Sequence, residues 1–421
     1  MKTPYAQQRN SRQHNTSALL MDLWLNAPLS RAMLAQRNGL TKATVSAICD
    51  ELAALNVICD AGQDRTSIGR PGSLLELNAL GRGTVGLEIS TNYIAVILAD
   101  LRGETLWRQI IPSTANAKQE TVLSKAEALL ASAIENAQQR ALPLLGIGVA
   151  APGIVDSQRG VIVRAASLGW KETELKERWE ARFLLPVMVE NKARSAAMTE
   201  ALRGSARGVR NFVYVSIGTD IGSSLDAAVM IDGVLFRGAH GLAVNAGHMI
   251  LDPDGELCAC GQRGCWRAQA DVARETALVK ARLAQGVQSV LRNASEEELQ
   301  NHRVIHQAAL DGDPLAGEVF KNTITYSHAP GILNLIHLFN PELVLLGYAS
   351  AVLPDEFLRR MEALMENPDF SIAEAVRKEL RARGLTPPDI RLASYEPYTS
   401  LLGAAMLLVD AFLREPPAPQ T

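Results

Sequence analysis

Two stretches of this chain, ILADLRGETLW at residues 97–107 and AVMIDGVLFRG at residues 228–238, spell the same step twice: an apolar strand, a turn bearing an aspartate, and a second strand. A step that recurs at this distance means one supersecondary unit built twice. Around the first copy, TVGLEIS, YIAVILAD and ETLWRQII read as three strands with tight turns, followed by a helix from about Lys118 to Gln139. LLGIGVAAPG and PVMVEN read as further strands, each followed by helical sequence. Around the second copy, NFVYVSIG, SLDAAVMIDG and VLFRG are strands again, and helices dominate from Ala268 onward. The expected fold class is therefore α/β, as two related lobes with a cleft between them: the first over residues 81–194, the second over 195–395. ASYEPYTSLLGAAMLLVDAFL, in a span of about 396–415, reads as a late helix packing back on the first lobe, and REPPAPQT as a frayed tail.

The first 80 residues follow a different pattern. NTSALLMDLWLNA gives a helix with Leu19, Leu20, Leu23 and Leu25 at roughly helical spacing. Ser30 can cap a second helix, RAMLAQRN, which Gly39 stops; Thr41 can cap a third, KATVSAICDELAALN, with Val45, Ile48, Leu52 and Leu55 as one apolar stripe. A short helix, a glycine turn and a longer helix make a helix-turn-helix, and VICDAGQDRTSIGRPGSLLELN adds the two strands of a wing. Thr41, Lys42, Ala43, Ser46 and Ala47 fall at or near the start of the third helix, off its stripe. Small and singly basic residues there suit a helix end entering a major groove. Gly69-Arg70-Pro71 would hold an extended arginine able to lie in a narrow minor groove. Asp50, Glu51, Asp60 and Asp64 read as solvated surface, and Cys49 and Cys59 as small core residues. A three-helix protein-docking module remains the alternative.

Charge supports the DNA reading locally. The whole chain carries −3, but residues 1 to 49 hold Lys2, Arg9, Arg12, Arg31, Arg37 and Lys42 against Asp22 alone, a net of +5. SALLMDLWL is short, interrupted by Asp22 and without a cleavage site, and no run of about eighteen apolar residues occurs. A cytoplasmic protein is expected, in which five cysteines point to metal more than to disulfides.

Three of those cysteines fall in GHMILDPDGELCACGQRGCWR, residues 247–267. Cys258, Cys260 and Cys265 with His248 supply three thiolates and one imidazole, a full tetrahedral set for zinc. Four protein ligands leave no open position, so the expected cofactor is structural Zn2+. A disulfide is the weaker reading, because two cysteines one residue apart pair poorly and one would be left over.

Taken together, the winged helix, GVAAPGIVD, the VEN segment, GTDIG, the GH…CACGQRGC cluster and NLIHLFNPELVLLG resemble the transcriptional regulators of the ROK family, the group that joins sugar kinases to repressors. The resemblance covers almost the whole chain. It implies a winged helix followed by a two-lobed, actin-like (ribonuclease-H-like) ATPase body, homo-oligomers (dimers or tetramers) on double-stranded operator DNA, no membrane association, and most often repression of a carbohydrate-related operon. ROK kinases resemble one another in glycine-rich phosphate turns and an Asn-Asp pair at the sugar, and this chain departs at each. Its first turn reads GLEISTNY, Lys192 follows Asn191 where the catalytic aspartate would stand, Asp220 lies in the second turn, and Tyr348 follows Gly347. A missing base with three damaged nucleotide contacts implies that the chain is not an enzyme. A sugar kinase with an appended docking domain is the alternative. The family's remaining sugar-binding glutamates correspond to Asn245 and Arg267. With Asn191, Lys192, Asn245, His248 and Arg267 as the effector set, three carboxylates have become one amide and two cations, which favours an anionic sugar phosphate or sugar acid. A pocket without a ligand, and a neutral polyol held by Asn191, Asn245 and His248, stay open.

Overall fold

The computed structural model describes residues 4–63, 72–114, 116–217, 225–347, 367, 370–394 and 398–416. The chain divides into two compact units: Met1–Ala151, Glu174–Glu190 and Leu401–Thr421 in the first, Pro152–Thr173 and Asn191–Ser400 in the second.

In the first unit, α1 (Pro4–Asn26), α2 (Arg31–Asn38) and α3 (Lys42–Ala54) accompany a small sheet of β1 (Leu29–Ser30), β2 (Ile58–Gln63) and β3 (Ser73–Leu77) in the order β1-β3-β2. α1 begins at Pro4 rather than near Asn15, because YAQQRNSRQHN is built largely of helix-tolerant polar residues and lacks the apolar periodicity that marks a buried helix. The Ser30 hydroxyl accepts from the Met33 N–H, Gly39 ends α2 in the left-handed region (φ 64°), and Thr41 accepts from the Thr44 N–H. Leu19, Leu20, Leu23, Leu34, Val45, Ile48, Cys49 and Leu52 are buried. Leu55 leaves the expected stripe: α3 ends at Ala54, the chain turns at Asn56 (φ 58°), and Leu55 is 41% exposed.

The same unit contains β4 (Gly83–Ile89), β5 (Tyr93–Asp100), β6 (Thr105–Pro112), α4 (Gln119–Gln139) and β7 (Leu144–Ala151). The chain then leaves for the second unit through three short strands, β8 (Ile154–Asp156), β9 (Val161–Ala165) and β10 (Trp170–Glu174), and returns as α5 (Leu175–Phe183) and β11 (Val187–Asn191). This corrects the expectation of helix directly after LLGIGVAAPG. β8 to β10 pair with one another in a sheet of their own, so residues 152–173 do not join the first lobe. The main sheet has the order β11-β7-β4-β5-β6; β4–β5 and β5–β6 are antiparallel and β4–β7 parallel. β4 and β5 are buried along their whole length, as their largely apolar sequence favours, and they carry Thr84, Glu88 and Asp100 into the interior with them. The C-terminal helix, Thr399–Arg414, lies against this sheet: a β-carbon on Gly148 would sit 1.8 Å from the Ala404 carbonyl oxygen, and one on Gly86 2.6 Å from that of Leu401.

The second unit repeats the plan. α6 (Lys192–Leu202) precedes a five-stranded sheet of β12 (Phe212–Ser216), β13 (Asp226–Ile231), β14 (Val234–Leu235), β15 (Leu343–Gly347) and β16 (Asp389–Leu392), in the order β14-β13-β12-β15-β16. β12–β13 and β13–β14 are antiparallel, β12–β15 and β15–β16 parallel, so β12 takes the place that β4 has in the first sheet. Val213, Val215, Trp266, Ile332 and Val344 lie in its core with the helices that follow β14. Among the described residues no helix is long and apolar enough to cross a membrane.

Candidate functional site

On α3, Lys42, Ala43 and Ala47 are exposed and Ser46 half-buried, while the Thr41 hydroxyl is engaged with the Thr44 N–H at 3.1 Å and the Thr44 hydroxyl at 2.9 Å. Arg70, with Asp64, lies outside the described residues. The local excess of positive charge is partly cancelled in space: Arg12 pairs with Glu51 at 2.8 Å, Arg31 with Asp50 at 2.6 Å and Arg37 with Asp22 at 2.8 Å. Asp50 and Asp60 are exposed and Glu51 partly so; Asp50 and Glu51 are ion-pair partners at the surface, and Asp60 is held by the Gly62 N–H and the Ser73 hydroxyl. Lys42 makes no ion pair among the described residues, which leaves it as a cation on the outward face of α3.

The proposed effector residues all belong to the second unit. Asn191 caps α6, its side-chain oxygen accepting from the Ala193 N–H (2.8 Å) and Arg194 N–H (3.3 Å). Its amide nitrogen donates to the Gly153 carbonyl at 2.9 Å and to Asp226 Oδ2 at 3.0 Å, so its hydrogen-bonding capacity is taken up inside the protein. Lys192 is half-buried at the first position of α6. Asn245 donates to the Leu242 carbonyl at 2.6 Å, and the tight turn Ala246–His248 follows. A β-carbon on Gly247 would sit 2.1 Å from the Leu225 carbonyl oxygen and 3.5 Å from Arg267 Cβ, so only glycine lets these backbones approach.

Two buried residues here escaped the sequence reading. Asp226 opens β13; its Oδ1 accepts from the Ala227 N–H at 2.9 Å. Burial pushes its carboxyl up to about 6, against the lowering influence of the Ala227 N–H, Arg194, Asn191 and Arg267. Arg194, 2% exposed, donates to the carbonyls of Ala243 and Val155 at 3.0 Å each. The signal available was a lone acid at the head of an apolar strand, DAAVM, and that signal is weak because strand ends often carry such residues in turns.

The cysteine loop holds together as a ligand set. His248 Nδ1 and the sulfurs of Cys258, Cys260 and Cys265 all lie within 4.8 Å of one another, with Cys258 Sγ to His248 Nδ1 at 3.7 Å and Cys260 Sγ to Cys265 Sγ at 3.6 Å. All the cysteines are free thiols. Tetrahedral coordination with metal–sulfur bonds of about 2.3 Å puts sulfurs about 3.8 Å apart, so the spacing and donor set fit a metal ion. Burial pushes the Cys265 thiol up to about 12, assisted by its hydrogen bonds with Cys260 and Cys258, and burial with Arg267 and Arg164 lowers the basicity of His248. A bound cation would favour the ionised form of the buried Cys265 thiol. The loop is tied by Leu251 N–H to the Gly264 carbonyl and Cys258 N–H to that of Gln262, both at 2.8 Å, and Gly264 passes so close to Asp252 that a β-carbon would lie 1.5 Å from its carbonyl oxygen. Trp266, fully buried, anchors the loop end directly before Arg267.

The ROK family model matches residues 84–411. The putative xylose repressor of Caldicellulosiruptor sp. (strain Rt8B.4) is 31% identical over 85% of this chain and 89% of its own length. A solved ROK family transcriptional regulator, described as a homolog of the E. coli MLC protein, superposes over 96% of this chain and 98% of its own with a TM-score of 0.77 at 26% identity. A ROK family glucokinase from Streptomyces griseus, solved with glucose and AMPPNP, covers 77% of this chain and 98% of its own with a TM-score of 0.61 at 26% identity. A helix-turn-helix head on a twice-built α/β body, matched nearly end to end by a regulator, places the chain in the ROK family, among its transcriptional regulators.

Proposed function

We propose that this chain is a DNA-binding transcriptional repressor of a carbohydrate-related operon, whose second unit senses an anionic sugar derivative. The observation that carries the reading is the pairing of an exposed α3 face bearing Lys42 with a kinase-like body in which Lys192 stands at the expected position of the catalytic base. The chain is a regulator, not a phosphotransferase: a lysine there cannot take the proton of a sugar hydroxyl as a carboxylate would. The cations Lys192 and Arg267 at positions where the family's sugar site carries carboxylates support an anionic effector.

Thr41, Lys42, Ala43, Ser46 and Ala47 form the groove-facing part of the reader and Arg70 its wing contact. Residues 1–80 make up this domain. Zn2+ on His248, Cys258, Cys260 and Cys265 braces the loop that ends in Arg267. The protein acts in the cytoplasm as a dimer or tetramer, because one winged helix offers a small contact and two half-sites about 34 to 36 Å apart add their specificity. A mobility-shift titration on the DNA flanking its own gene tests the assignment: full-length protein should bind, and protein lacking residues 1–80 should not. Undiminished binding by the truncated protein would end this reading.

A further inference from the structure

Resting on the reading of the second unit as an effector pocket, we propose that Asp226 accepts a hydroxyl of the effector while Arg267 holds its acid group, so that the effector is a sugar acid. Each oxygen of Asp226 accepts one protein hydrogen bond, from the Ala227 N–H at 2.9 Å and from Asn191 Nδ2 at 3.0 Å. A carboxylate has about four acceptor positions, which leaves about two. Arg267, half-buried, makes no hydrogen bond or ion pair among the described residues, so its fork of N–H donors is unspent. The two residues spring from neighbouring backbone: a β-carbon on Gly247 would lie 2.1 Å from the carbonyl oxygen of Leu225, the residue before Asp226, and 3.5 Å from Arg267 Cβ. Their charges are felt by each other, as the lowering influence of Arg267 on Asp226 shows.

An unspent donor fork beside an acceptor carboxylate matches a ligand that carries both an anion and hydroxyls. A neutral sugar leaves the guanidinium without its bidentate partner. A phosphate dianion meets more repulsion from Asp226 than a carboxylate monoanion does, and an anion without hydroxyls leaves the free acceptor positions of Asp226 unmet. Asn191 holds the aspartate by a hydrogen bond and, through its cap on α6, ties the position of this carboxylate to the start of that helix.

The test is calorimetric titration of full-length protein with hexonates, pentonates and hexuronates, set against their neutral parent sugars, the sugar 6-phosphates and acetate. A sugar acid should bind at least about tenfold more tightly than its parent sugar, the phosphates or acetate. Asp226→Asn, which leaves a single acceptor oxygen, should weaken that binding about tenfold. Arg267→Gln should remove the preference for the acid over the parent sugar, and this variant stands in if Asp226→Asn does not fold. Wild-type affinity in Asp226→Asn would overturn the role of Asp226 alone. Phosphates binding as tightly as acids would overturn the sugar-acid class. A neutral sugar bound best, with full strength in Arg267→Gln, would overturn this proposal and the anionic-effector reading together, with operator binding still intact.

Discussion

Replacing Asp226 by asparagine should change how the stability of the protein depends on pH, and the size of the change follows from where the side chain sits. Burial holds the carboxyl at about 6, against an ordinary value of 3.8, although an N–H, an amide and two arginines favour the charged form. The folded chain therefore binds this proton more tightly than the unfolded chain. Below about pH 4 the group is protonated in both states and costs nothing. As pH rises toward about 6 the unfolded chain releases the proton first, stability falls, and above that the loss is complete. At about 1.4 kcal/mol per tenfold change in proton affinity, the full loss is about 3 kcal/mol. Asparagine does not titrate, while every other ionisable group is common to both proteins, so the difference between them isolates this carboxyl. Urea unfolding of both proteins from about pH 4 to about pH 7 should show Asp226→Asn gaining about 3 kcal/mol relative to wild type across that window. A difference that does not vary with pH would refute the argument that burial outweighs the partners of this aspartate.

Gly148→Ala should destabilise the first unit by about 1 to 3 kcal/mol or more, since the new methyl meets a backbone carbonyl that cannot swing aside; a melting temperature equal to wild type would show that the C-terminal helix is not held against β7. Metal analysis of purified protein should give about one zinc per chain, and chelation should lower the melting temperature without removing operator binding by the N-terminal domain. Less than about half an equivalent would count against zinc. Lys42→Ala should lower the slope of log affinity against log salt by about one if the lysine meets phosphate, with equal loss on all sequences. A slope left unchanged, with loss confined to particular bases, would assign it to base reading instead.

Much of this protein is legible locally, because its signals are local. Caps at Ser30 and Thr41, the glycine stop at Gly39 and the period of the apolar residues define α2 and α3 without reference to anything distant. The repeated strand-turn-strand step announces two sheets of one plan, and the cysteine spacing announces a ligand set, since both are written within a few residues. The polar start of α1 was missed because its sequence carries no apolar stripe, and Leu55 was misplaced because the end of a helix depends on its cap and not on period. β8 to β10 could not be assigned to a unit from sequence, because short strands owe their partners to the rest of the chain. Electrostatics were least legible of all. The cations Arg12, Arg31 and Arg37 find acids from other elements, two of them 19 and 39 positions away, and Asn191 meets Asp226, 35 positions further along the chain. Formal charge can be counted along a sequence, but the field depends on distance and burial, and only the tertiary fold sets those.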